Sequence, residues 1–77
     1  MNDSAKVEFD VKIISEEPKT THYLGVETKP YEVMEMGSRK EFIVYIDTFH
    51  QEHSLEVDKV YHIVTYRGFI LEYESRA

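Results

Sequence analysis

Strict alternation is the strongest constraint on this chain. In the stretch "KVEFDVKII", Val7, Phe9, Val11 and Ile13 fall on one side, while Glu8, Asp10 and Lys12 fall on the other. A period of two is the mark of a strand with one buried and one wet face. Further strand-like runs follow in "THYLGVET", "YEVMEM", "EFIVYID", "KVYHIVTY" and "FILEYES". In "EFIVYID" both sets are apolar, with Phe42, Val44 and Ile46 against Ile43 and Tyr45, which predicts a central strand. No segment carries a sustained helical stripe.

The breaks between these runs have turn chemistry. "SEEPKT" holds Pro18, Lys29-Pro30 marks a further change of direction, and Gly37-Ser38 reads as a hairpin turn. Gly25 lies inside a run and predicts a bulge or a close backbone approach. Arg67-Gly68 joins the last two runs, where glycine supplies the positive φ of a tight turn. The one helix candidate is "DTFHQEHSLEV", with Asp47 as N-cap and Phe49 packing a short helix onto the sheet.

Six short strands and one short helix in 77 residues predict a single all-β domain spanning residues 1–77. An open sheet of this size leaves two unpaired edges, so a curled or closed five- or six-stranded barrel is the expectation. The leading form is a barrel like the oligonucleotide/oligosaccharide-binding (OB) type, with a long first strand, a Gly-bearing bend and a helix before the last hairpin. An SH3-like barrel or a curved sheet is second. This likeness is architectural and does not by itself assign a function.

Composition narrows the function classes. Fifteen acidic against nine basic residues give a net charge of −6. Binding to a phosphate backbone draws on Lys and Arg that displace counterions, so this balance disfavours nucleic acid and anionic membranes unless a local basic patch overrides it. It also favours attraction to a basic partner. The chain has no cysteine, which removes disulfides and thiolate metal sites. No apolar run approaches membrane-spanning length, and "MNDSAKVEFD" lacks a basic region followed by an apolar one. The expected location is cytoplasmic, with no membrane association.

Catalytic motifs are missing. No serine falls in a strand–turn–helix elbow, and three isolated glycines make no phosphate-binding loop. Asp47, His50 and His53 would share one face of a helix, the arrangement of a two-His-one-carboxylate site. The spacing of "HQEH" nevertheless misses the zinc pattern of two histidines four apart, and an extended segment would separate them. The expectation is a polar connection with no metal, no cofactor and no enzymatic activity.

The aromatic residues are more informative. Tyr and Arg are favoured at contact hot spots, and two-sided apolar strands offer more apolar surface than one small core uses. A non-enzymatic module acting through protein–protein contacts, as a small acidic adaptor, subunit or inhibitor, is therefore the leading expectation, with self-association included. Its expected contact residues are Tyr45, Tyr61, Tyr66, Arg67 and Phe69. The alternative is single-stranded nucleic-acid binding by the same face, with aromatic rings as stacking platforms beside Arg67 and Lys59.

Overall fold

The computed structural model describes residues 6–48 and 55–76. Its strands are β1 (Lys6–Glu16), β2 (Thr21–Tyr23), β3 (Val26–Glu35), β4 (Glu41–Asp47), β5 (Val60–Tyr66) and β6 (Phe69–Ser75). No described residue is helical. The helix expected after Asp47 lies outside the described residues, as do Phe49, His50 and His53. Asp47 itself is the last residue of β4.

The strands run in the order β1-β5-β6-β4-β3-β2, and β1 also pairs with β3, so five of them form a hydrogen-bonded ring. Four of the ring's seams are antiparallel ladders. The fifth joins β4 to β6 in parallel through one ladder pair, Tyr45↔Phe69. Ring formation explains how so short a chain can hold most of its described residues in strands, because the exposed edges of an open sheet are largely removed.

Two extra residues bend the wall. β1 carries Ile14 between Ile13↔Val33 and Ser15↔Glu32, and β6 carries Leu71 between Thr65↔Ile70 and Val64↔Glu72. Such bulges sharpen the local twist and help a small sheet curl. The inward residues Val11, Ile13, Tyr31, Val33, Val44, Ile46, Leu55, Tyr61, Ile63 and Ile70 make one buried core. Tyr31 is the largest fully buried side chain, and burial pushes its phenol above the ordinary tyrosine range.

Two local expectations are corrected. Gly25 is neither a bulge nor a close approach: Leu24 (φ 52°) and Gly25 (φ 81°) are the two turn residues of the β2–β3 hairpin. Positive φ at both positions is the type I′ geometry that matches strand twist. Lys29-Pro30 does not change the chain's direction, because both residues lie within β3. Pro30 is tolerated there because the β1 ladder ends at Glu16↔Tyr31 and the β2 ladder at Thr21↔Thr28. Its missing N–H falls between those ladders, while its carbonyl accepts the Glu17 amide at 3.1 Å.

The turn at Gly37-Ser38 forms as expected, although the residue with positive φ is Arg39 (φ 64°). The Ser38 hydroxyl donates to Glu35 Oε1 at 2.6 Å and accepts the Lys40 amide at 3.2 Å, closing the loop locally.

Candidate functional site

Residues directly opposite one another in a ladder present their side chains on the same face. The pairs Pro30↔Tyr45, Tyr45↔Phe69, Tyr66↔Phe69 and Lys6↔Tyr66 therefore form one continuous row across β3, β4, β6, β5 and β1. Three of the five expected contact residues, Tyr45, Phe69 and Tyr66, belong to this row. Arg67 follows in the β5–β6 turn with φ 53°.

Tyr61 does not join them. It is 6% exposed, lies edge-on to Tyr73 at 5.7 Å, and its hydroxyl accepts the Glu56 amide at 2.9 Å. Five positions separate Tyr61 from Tyr66, so a regular strand sends them to opposite faces. Tyr61 is part of the core.

Tyr23 is the residue that the sequence reading missed. Its ring stacks on Tyr45 at 3.8 Å and 9°, and meets Phe69 edge-on at 5.1 Å. Its hydroxyl donates to the Arg67 carbonyl at 2.7 Å. The β2–β3 hairpin thus lays one aromatic ring over the seam that has a single ladder pair. The Tyr45 amide adds a bond to the Gly68 carbonyl at 2.9 Å beneath it. The stack covers one face of Tyr45, while Tyr66 is 41% exposed. Ile43 lies two residues before Tyr45 and is exposed to the same degree, as is Leu71 at the β6 bulge.

On the inner side of this seam the ring opens at one end. A cleft of about 330 Å³ is lined by Val7, Phe9, Phe42, Ile43, Val44, Thr65, Arg67 and Gly68. Phe9 and Phe42 meet within it at 4.9 Å between centroids. The Thr65 hydroxyl is occupied, donating to the Val7 carbonyl at 3.0 Å.

A separate polar cluster lies on the outer face of the β1–β5 seam. His62 Nδ1 is 2.8 Å from Asp10 Oδ1, and His62 Nε2 is 2.9 Å from Glu8 Oε1. Arg76 Nε approaches Asp10 Oδ1 at 3.6 Å, and Glu74 lies opposite His62 in the β5–β6 ladder. A neutral imidazole has only one N–H to donate, so the two carboxylates are both satisfied only by the protonated ring. The hydrogen bond to Asp10, followed by that to Glu8, holds the His62 pKa above its ordinary value. The same bond from His62 holds the Asp10 carboxyl below the ordinary range. The carboxylates sit on different ring nitrogens and do not converge. No set of three or more His, Asp or Glu side chains among the described residues is placed to hold a metal ion.

This cluster has a signed consequence for stability. The His62 contribution is complete below about pH 6.5, the value of an unfolded histidine, and is lost as pH rises through the raised folded value. The Asp10 contribution is present above its unfolded value, about 3.9, and is lost as pH falls through the lowered folded one. Urea midpoints measured from pH 4 to 9 are expected to be higher near pH 5.5 than near pH 8.5. His62→Gln should flatten the alkaline decline, whereas an unchanged decline would place its cause elsewhere.

Among the described residues no helix is long and apolar enough to cross a membrane. No protein-family model, curated protein or solved structure matches this chain.

Proposed function

We propose that the protein is a non-enzymatic binding module that acts through protein–protein contacts, with the outer row of Tyr45, Phe69 and Tyr66, together with Arg67, as its contact surface. The observation that carries this reading is the row itself. Aromatic side chains from three neighbouring strands line up on the outer face, with Tyr66 exposed, Tyr45 and Phe69 half-buried, and exposed Ile43 and Leu71 on the flanks. Tyr and Arg in a ridge bordered by apolar residues are what a contact hot spot uses. Latching by Tyr23 stiffens the ridge before binding, which reduces the ordering cost of association. A second copy of the chain is one such partner, and light scattering over a concentration series tests it.

The test is affinity capture with cross-linking from the source cell, comparing wild type with Tyr66→Ala. Tyr66 is on the rim of the row, so truncation should leave the fold intact while weakening capture about thirtyfold, the effect of a residue worth about 2 kcal/mol. Equal recovery of the same partner by both proteins would remove the row from the interface.

One observation favours a second reading. Counted as ring members alone, β1, β3 and β4 are a meander, and the long connection at 48–59 follows the third of them, ahead of the final hairpin. That is where the OB type places its helix, and the ring order with its parallel closure fits an OB-like barrel. Lys6 at the end of the row and Arg67 beside it would supply local positive charge for single-stranded nucleic acid. The covered face of Tyr45 argues against it, because a stacking platform needs open rings. A labelled oligonucleotide titrated at 50 and 200 mM salt separates the readings. Micromolar affinity that falls steeply with salt would favour nucleic acid.

A further inference from the structure

We infer that the cleft at the open end of the ring is a small-molecule site for an apolar monocarboxylate, with Arg67 receiving the carboxylate. The site shares Arg67 and Ile43 with the outer contact surface but offers an apolar cavity where that surface offers a ridge. Its walls are the inward side chains Val7, Phe9, Phe42 and Val44 with Ile43 at the lip, and its volume of about 330 Å³ is roughly ten times the share of one liquid water molecule. That size falls at the lower end of the range for ligand pockets, which combine apolar walls with few polar groups.

The polar groups in the lining decide the ligand's chemistry. Thr65 spends its hydroxyl hydrogen on the Val7 carbonyl. Arg67 is the remaining residue of the lining that carries a polar side chain, and the one that carries a charge. Among the described residues Arg67, like Lys6, Lys12, Lys19, Arg39 and Lys40, has no carboxylate within 4 Å, so its charge is not already neutralised by a neighbour. Its carbonyl is anchored by the Tyr23 hydroxyl, so the base of the side chain is held at the cleft's edge. A guanidinium fork matches a carboxylate with two parallel hydrogen bonds. One cation balances one negative charge, and the chain's net charge of −6 works against ligands carrying more.

Decanoate, kept below its self-association concentration, is the probe, with decanol as its uncharged counterpart. Titrations followed by amide NMR should show saturable shifts at Val7, Phe42, Ile43 and Gly68. The acid should bind about tenfold more tightly than the alcohol, as a charge-assisted hydrogen bond implies. Affinity should rise about fourfold per methylene from hexanoate upwards until the cleft is filled.

Arg67→Gln should abolish the preference for the acid, and Arg67→Lys should retain part of it. Ile43→Glu, at an exposed position on the lip, should exclude the acid while leaving the thermal unfolding transition in place. Equal affinity for acid and alcohol, a preference that survives Arg67→Gln, shifts mapping outside the cleft, or no saturable binding would each overturn the proposal. Binding to anionic vesicles in place of the monomeric acid would do the same.

Discussion

Tyr23→Ala is expected to destabilise the fold by about 3 kcal/mol. The ring takes part in two aromatic contacts, with Tyr45 and Phe69, each worth about 1 kcal/mol beyond the area it buries. Its hydroxyl adds a hydrogen bond to the Arg67 carbonyl, worth about 1 kcal/mol net. A chain of this size has about 4–12 kcal/mol in total, so the loss is a large fraction. The melting temperature should fall by roughly 15 °C. Urea unfolding measures the free energy, and hydrogen exchange at the Tyr45 amide reports on the seam directly. Tyr23→Phe should cost only about 1 kcal/mol, the hydroxyl's share. A loss below about 1 kcal/mol for the alanine variant would show that the seam holds without its latch.

Gly68→Ala attacks the same place from below and should cost about 2–3 kcal/mol. Gly68 has φ 90°, and a Cβ there would meet the Tyr23 hydroxyl oxygen at 2.8 Å. The ring cannot easily move away, since Cζ and Cε2 follow at 3.3 and 3.4 Å and its face is held by Tyr45. Backbone strain for an L-residue with positive φ contributes about 1–2 kcal/mol, and the steric conflict supplies the rest. The two parts separate in a double-mutant cycle. With Tyr23→Ala already in place, Gly68→Ala should cost only the strain, leaving a coupling of about 1 kcal/mol. Additive free energies would contradict the packing described for the latch.

Much of the fold was legible because alternation is a local property. β1, β4, β5 and β6 fall where the apolar periods of "KVEFDVKII", "EFIVYID", "KVYHIVTY" and "FILEYES" put them. The Arg67-Gly68 turn followed from glycine's freedom at positive φ. Periodicity is weaker at deciding which face turns inward when both are apolar. Tyr61 and Tyr66 share β5 but have opposite parity, and that odd spacing was the available signal that they could not share one surface.

Pro30 misled because a proline stops a strand only where its missing N–H would have had a partner. Its true neighbourhood depends on where two other strands end. Tyr23 had no local signal at all, since its contacts with Tyr45, Arg67 and Phe69 exist only once the ring is built. The His62 cluster was half visible. Glu8 and Asp10 are two apart on one strand and so share a face, but their histidine lies more than fifty positions away.

The ring's order also bears on how the chain is made. β1, β3 and β4 are all synthesised before β5 and β6, and the β5–β6 hairpin supplies the missing neighbour to both β1 and β4. Lys6 cannot find Tyr66 until every residue between them has left the ribosome. Until then the meander presents two strand edges at once, each able to recruit another chain. Non-local pairing of this kind is slow to form. The β5–β6 hairpin is therefore the element that covers both edges of the meander, and chains terminated before β5 would keep both edges open.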